Sequence, residues 1–316
     1  MCSSCRTPAP LPRVAELLSG ARVERVLVLV EGAQTTSPDE TTPAKLVEET
    51  RSALAAALPG AAFAGGTDLY FTELNRTRPD AEPMDAVFYS IIPQVHAFDD
   101  VSLVETLEAQ AETVESAHEL AGGRPVVVSP VTLRRRFNPH AGGEEAEPEP
   151  GQLPDTVDPR QPSLLGAAWT VGSVKYLAES GAASVTYFET AGWKGVVERE
   201  AGTPLPEAFA STPGRVFPLH RVLAWAGEWK GAELLACAST APWRVVGIAA
   251  ERDGRRSLLA ANLQADPVAV RLEGLPARVT LRRLNDETAP DWSDPLALDG
   301  GSTLELGPYE TVRVDA

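Results

Sequence analysis

Five short apolar runs, each followed by a longer helical or polar stretch, constrain this chain more than any other feature. Residues 26–30 (VLVLV) are an unbroken valine and leucine run, the pattern of a strand buried on both faces. Residues 61–65 (AAFAG), 85–92 (DAVFYSII), 126–129 (VVVS) and 183–188 (ASVTYF) continue the series. Between them lie helical patterns. A short one covers 11–21. An Ala-rich one covers 43–58, with Pro43 near its first turn and Pro59-Gly60 as its stop. The strongest covers 102–121, where Ser102 and Glu105 have capping-box spacing and Leu103, Leu107, Val114, Ala117 and Leu120 share one face. Two more cover 163–180, closed by Gly181, and 216–237. Long polar loops follow the second and fourth runs, GTDLYFTELNRTRP and the Pro-, Gly- and Glu-rich 134–160. Strict alternation of β and α implies a parallel sheet.

The pattern changes after about residue 238. Short alternating runs (VVGIAAER, SLLAANL, VAVRLEGL, VTLRRLN, STLELG, TVRVDA) are separated by turn signals such as Asp253-Gly254 and Asp299-Gly300-Gly301. They predict an all-β sandwich over 239–316. Residues 1–21 read as a tail with a short helix, and 22–238 as a barrel-like catalytic domain. The fold class expected is α/β, a partial (β/α)8 barrel of about five βα units followed by an all-β domain. A doubly wound open sheet ranks below it, because no G-x-G-x-x-G follows any strand.

Charge narrows the function. The chain has 28 Lys+Arg against 44 Asp+Glu, a net charge of −16, which argues against a nucleic-acid surface and against docking on an anionic membrane. No run approaches the ~18 apolar residues of a membrane span, and MCSSCRTPAPLPR lacks the apolar core of a secretory signal. Cysteine is sparse. Cys2 and Cys5 form a C-x-x-C with no second ligand pair, and Cys237 reads as a small buried residue. No disulfide framework exists, which fits a reducing cytoplasm. No metal-ligand spacing and no cofactor motif is present, so neither is expected.

In a barrel, chemistry lies where strands end and in the loops that follow. Glu31 follows the first run. Asp68, Tyr70, Glu73, Asn75 and Arg76 follow the second, Gln94 and His96 the third, Thr132, Arg134 and Arg136 the fourth, and Glu189, Thr190 and Trp193 the fifth. Carboxylates, a histidine, arginines and aromatic faces (Tyr70, Tyr89, Tyr187, Trp193) on one rim suit a small polyhydroxylated ligand.

Four segments carry a more specific signal: GGTDLYFTELNRTRP (65–79), FYSIIPQVHAFDDVSLVETLEAQ (88–110), RPVVVSPVTLRRRFNPH (124–140) and SVTYFETAGWKGV (184–196). Together they resemble the D-apionate lactonase family of sugar catabolism, from about residue 20 to the C-terminal LELGPYETVRV. The resemblance implies a glycoside-hydrolase-like TIM barrel with a C-terminal β domain, and hydrolysis of the lactone of a branched-chain sugar acid. Opening a lactone needs a directed water, a base and donors for the oxyanion. Glu189 or Glu73 is expected as base, with His96 as alternative base or proton donor. Arg134 or Arg136 would stabilise the oxyanion or grip hydroxyls. Asn75, Arg76 and Tyr89 would position the substrate, with Glu31 and Trp193 completing the binding set. The partner is then a small sugar lactone.

Two other classes stay open. A barrel glycoside hydrolase needs two flanking carboxylates. If 183–188 is the eighth strand, the seventh carries Ser129 and Thr132 where a nucleophilic Glu belongs, although Glu31 ends the fourth. An inactive or truncated carbohydrate-binding protein would keep the rim without turnover. Strand count bears on both. A complete barrel takes typically ~250 residues and eight strands, whereas 22–238 holds five βα units that read as the fourth to the eighth. The chain is therefore expected to be the C-terminal part of a longer protein, through a misplaced start, or to need a partner or oligomer that covers the open side.

Overall fold

The computed structural model describes residues 11–30, 40–137 and 148–316. In chain order the first elements are α1 (Leu11–Leu18), β1 (Arg25–Leu27), α2 (Ala44–Leu54), β2 (Ala62–Tyr70), α3 (Phe71–Thr77), β3 (Ala86–Ile91), α4 (Asp100–Glu105), α5 (Ala109–Leu120), β4 (Val126–Val131), α6 (Leu164–Glu179), β5 (Ser184–Tyr187) and α7 (Leu219–Glu228). Then come β6 (Glu233–Leu235), β7 (Val245–Arg252), β8 (Arg255–Asn262), β9 (Val268–Arg271), β10 (Arg278–Leu284), β11 (Leu296–Asp299), β12 (Thr303–Leu306) and β13 (Thr311–Asp315). The chain forms two compact units: Met1–Ile92 with Ala111–Ala146 and Ser180–Tyr187, and Pro93–Gln110 with Glu147–Glu179 and Phe188–Ala316.

The first unit is built on a curled half-barrel sheet of five strands in the order β1-β2-β3-β4-β5, every neighbouring pair parallel. This is the partial TIM barrel that the β/α alternation implies. Its two faces differ. On one, Arg51 of α2 lies 5.0 Å over the Phe63 ring, and Tyr89 bonds Thr113 of α5 at 2.8 Å. On the other, Ala64, Ala86, Phe88 and Val127 pack together with Leu27. Among the described residues, β1 and β5 each pair on one side only.

The second unit joins helices to the all-β region. Helix α6 is buried almost all round, from Leu165 through Ser173 without a break, which is the mark of a core helix. It packs on α7, β7, β8 and β13. A Cβ at Gly172 would sit 2.6 Å from Leu107 Cδ1, so glycine lets the two segments approach. The antiparallel sheet runs β11-β10-β13-β8-β7-β6, and β12-β9 forms a second, two-stranded sheet. Leu258, Leu281, Leu304, Leu306, Val312 and Val314 fill the core. Asp253 (φ 53°) and Gly254 (φ 72°) make the two-residue turn of the β7–β8 hairpin; both φ values are positive, as a type I′ turn requires.

Several local expectations need correction. The polar loop expected after residue 65 is the end of β2 followed by α3. The single helix expected over 102–121 is two helices. Its cap is Asp99, whose carboxylate accepts from Ser102 N–H at 2.9 Å, and Thr106 Oγ1 then donates to the Leu103 carbonyl at 3.1 Å. A threonine competing for a backbone acceptor is a common helix breaker. The helix expected over 216–237 ends at Glu228, and Gly231 (φ 79°) turns the chain into β6. The C-x-x-C lies outside the described residues. Among the described residues no helix is long and apolar enough to cross a membrane.

A buried polar network ties the turn after β3 to the segment before α6. Asp158 (3% exposed) accepts from Gln94 Nε2 at 2.6 Å and from Arg160 Nη2 at 2.8 Å, while Arg160 Nη1 reaches Asp100 at 2.8 Å. Burial pushes the Asp158 carboxyl up, but the hydrogen bonds from Arg160 and Gln94 outweigh it and hold the group below the usual carboxylate range. A depressed carboxylate stabilises the fold above its unfolded pKa and loses that contribution as pH falls through the folded value. Asp158→Asn is therefore expected to cost roughly 3 kcal/mol in denaturant unfolding at neutral pH. Its deficit against the parent chain should shrink below about pH 4.

Candidate active site

The C-terminal edge of the parallel sheet is irregular in one consistent way. The β2–β3 ladder shifts register between Gly66 and Tyr70, β3–β4 between Tyr89 and Ile91, and β4–β5 between Val128 and Val131. Bulges at barrel rims re-aim side chains. Gly66 makes the first one possible, because a Cβ there would overlap the Phe88 carbonyl. The chain before α2 is fastened across this edge. Thr42 N–H donates to the Gly66 carbonyl at 2.7 Å, Thr42 Oγ1 to that of Val28 at 2.5 Å, and Thr67 Oγ1 to that of Glu40 at 2.6 Å. The Glu40 carboxylate, 4% exposed, receives Arg76 Nη1 at 2.8 Å and Thr77 Oγ1 at 3.0 Å.

Beyond the bulge, Asp68 and Tyr70 are both half-buried at the end of β2. Arg136, from the loop after β4, donates Nη2 to the Asp68 carbonyl at 2.6 Å and to Asp68 Oδ1 at 2.7 Å. No acceptor among the described residues takes its Nε or Nη1. Glu73, 4% exposed, accepts from Tyr70 N–H at 3.1 Å, a carboxylate closing the first turn of α3. Burial pushes the Tyr70 phenol up to about 12; Arg136 works against this, while Glu73 and Asp68 add to it. Tyr70 is thus a hydrogen-bond donor throughout the neutral range, beside an arginine held by an aspartate.

The remaining expected residues are placed as follows. Asn75 is exposed on α3, where its side chain and carbonyl accept from Arg78. Arg76 is committed to Glu40. Arg134 is half-buried, and its carbonyl accepts from Thr132 Oγ1 at 2.7 Å. Tyr89 is 0% exposed, with its hydroxyl on Thr113 and its ring edge-on to Phe71 at 5.7 Å. It presents no surface to a ligand, because its position in β3 turns it to the helix side. Glu31 lies outside the described residues.

In the second unit, His96 is exposed in the turn before α4. Glu189 is exposed, its N–H bonded to the Lys194 carbonyl at 2.8 Å, and no partner among the described residues takes its carboxylate. It follows Phe188, a buried aromatic residue with φ 54°. A bulky residue in the left-handed region is a strained position of the kind that clusters at functional sites. Trp193 packs 6.4 Å from Phe209, and its Nε1–H donates to Thr203 Oγ1 at 2.7 Å. Glu40, Asp158 and the 3%-exposed Glu198 were not singled out from sequence. Each sits in a polar stretch whose composition does not distinguish a buried carboxylate from a solvated one. Asp68 had a usable signal, since it and Tyr70 are two apart in a strand and share a face. Among the described residues no group of three or more His, Cys, Asp or Glu is arranged to hold a metal ion.

Residues 7–231 match the D-apionate lactonase TIM barrel domain, and residues 242–314 match the D-apionate lactonase C-terminal immunoglobulin-like domain. The chain belongs to the D-apionate lactonase family. A D-apionate lactonase from Brucella anthropi is 27% identical over 236 residues, which is 74% of this chain and 37% of that relative. The chain thus spans well under half the length of the curated relative it matches. Among solved structures, a GH30 endoxylanase from Clostridium papyrosolvens C71 superposes with a TM-score of 0.55 at 9% identity, covering 97% of this chain and 71% of that one. An α-L-arabinofuranosidase from Thermotoga maritima gives 0.54 at 14% identity, covering 89% and 62%. At these identities the likeness is one of fold, a glycoside-hydrolase-like barrel.

Two outcomes check the rim. Gly66→Ala should abolish soluble folded protein or broaden the amide spectrum of the first unit. Comparing the phenolate absorbance of the parent chain with that of Tyr70→Phe should show Tyr70 still protonated at pH 11.

Proposed function

We propose that this chain carries the carbohydrate-hydrolase site of a lactonase acting on a sugar-acid lactone of the D-apionate type. The observation that carries the reading is the rim cluster of Asp68, Tyr70 and Arg136, in a chain that belongs to this family. In the reaction the oxygen of water attacks the lactone carbonyl carbon, and a carboxylate accepts the departing proton. Of the two carboxylates expected for that role, Glu73 is committed to the first turn of α3, and Glu189, in the second unit, is exposed with no partner for its carboxylate among the described residues. The carbonyl oxygen gains charge and is stabilised by the Tyr70 phenol and by the Arg136 N–H groups that no described residue accepts from. Collapse of the tetrahedral intermediate breaks the ring C–O bond. The ring oxygen takes up a proton and leaves as a hydroxyl of the open acid, with His96 as the alternative proton carrier. Arg134 remains a candidate for gripping hydroxyls in the first unit, as does Asn75 for substrate contact, and Trp193 remains a candidate in the second.

A barrel glycosidase would need a second carboxylate flanking the bond. On β4, Ser129 bonds Thr186 instead, with an Oγ–Oγ distance of 2.8 Å, so the lactonase reading ranks above it. Activity is expected to depend on polypeptide that covers the open edges of β1 and β5, because an unpaired parallel edge does not hold a rim rigid.

The test follows the proton released on opening sugar-acid lactones, with the chain alone and with it joined to the preceding portion of a family member. Glu189→Gln and Arg136→Ala are each expected to lower kcat by about 10²-fold or more. Near-parental kcat in both variants would overturn the assignment, and release of aryl aglycones without lactone opening would reverse the ranking.

A further inference from the structure

The second unit holds a groove of about 680 Å³. It is formed where three turns of the all-β region meet α4. Val104 and Leu263, 5% and 2% exposed, close its floor. Trp243, with 63% of its surface exposed, and Tyr309 both line it. Val101, also 63% exposed, lines the same groove, and exposed apolar residues gathered in one groove with a polar rim mark an interaction site.

The platform is pre-organised. Gln264 Nε2 donates to the Trp243 carbonyl at 2.7 Å, Leu263 N–H to that of Arg244 at 2.8 Å, and Tyr309 N–H to that of Gln264 at 3.1 Å. Tyr309 has φ 52°, a left-handed backbone for an aromatic residue. The neighbouring Glu310, 2% exposed, holds that turn: its carboxylate accepts from Gly307 N–H and from Arg283 Nη1, each at 2.7 Å. Tyr309 is half-buried, and its hydroxyl donates to Asp100 Oδ2 at 3.4 Å, which fixes the side chain at the groove. Around the rim, the Arg244, Glu105 and Asp266 side chains have no hydrogen-bond partner among the described residues. Planar donors and acceptors beside an aromatic face are what a sugar ring needs, with its C–H face on the indole and its hydroxyls on the rim.

Charge selects among sugars. Asp100 is paired with Arg160 at 2.8 Å, leaving Glu105 and Asp266 against the single cation Arg244. The groove is net negative, and it disfavours a sugar acid relative to a neutral sugar. We propose that this groove is a binding site for a neutral saccharide, distinct from the rim cluster at the parallel sheet and independent of the reaction carried out there.

The test uses the full chain, with xylotriose and cellotriose as neutral probes and gluconate as the acidic one. Binding is read by the indole ¹H–¹⁵N resonance of Trp243, assigned from Trp243→Phe, and by calorimetry. At least one neutral trisaccharide should shift that resonance. Trp243→Ala and Arg244→Ala should each weaken its binding about tenfold, and gluconate should bind at least tenfold more weakly. Both side chains are exposed, so both variants should melt with the parent chain, and Arg244→Ala carries the test if Trp243→Ala does not fold. Absence of a shift at tens of millimolar of either trisaccharide overturns the proposal. So does binding that both substitutions leave unchanged. A concentration-dependent dimer lost in Trp243→Ala assigns the groove to a second copy of the chain and overturns it as well.

Discussion

Gly66 sits against the Phe88 carbonyl so closely that no side chain fits between them. From that contact the β2–β3 ladder slips, and Tyr70 pairs with Ser90 only after a bulge. The slip frees the end of β2 to carry Asp68 and Tyr70 at the rim. The Gly66 carbonyl also takes the Thr42 N–H that fastens the preceding chain across the strand ends. One position without a side chain thus sets the close packing of two strands, the path of a loop and the place of two polar groups. The buried apolar contacts beneath it, Phe88 with Ala64, Ala86 and Val127, hold the sheet against which that slip is defined.

The carboxylates divide by what surrounds them. Glu40 and Asp158 are buried and spent on arginines, threonine and glutamine, and Glu73 on the first turn of α3. They act as fasteners, since a buried charge is tolerated only with its hydrogen bonds made. Glu189 is exposed, and no described residue takes its carboxylate. The same division applies to the arginines. Arg76 and Arg160 are bound into those fasteners, whereas Arg136 gives one nitrogen to Asp68 and no described residue accepts from the others. An arginine oriented by an aspartate and still able to donate is better suited to a developing oxyanion than one in a closed ion pair.

Much of the architecture was legible. The runs at 26–30, 85–92, 126–129 and 183–188 became parallel strands in sequence order, but burial on both faces holds fully only for β3; β1 stops at Leu27 and is half-buried, Leu29 is exposed, and β5 is half-buried to exposed. The hairpin at Asp253-Gly254 was readable because only a few residue types accept its dihedral angles. Less was legible where several outcomes share one composition. The polar 66–79 stretch could be loop or strand-then-helix, and only the bulge at Gly66 and the Glu73 carboxylate on Tyr70 N–H decide it. In the 102–121 pattern Leu103, Leu107, Val114 and Ala117 are buried and Leu120 only partly, while the break after Glu105, where Thr106 Oγ1 bonds the Leu103 carbonyl, is not registered by periodicity.

By itself, the sequence determined the parallel α/β part, the antiparallel β part, the family and which strand ends carry polar residues. These follow from local periodicity and residue type. Tertiary structure decided which of those polar residues are available. Tyr89 and Arg76 differ little in sequence from Tyr70 and Arg136, yet one pair is satisfied by Thr113 and Glu40 and the other lines the rim. A side chain's chemistry depends on what desolvates it and what bonds it, and those neighbours come from segments distant along the chain.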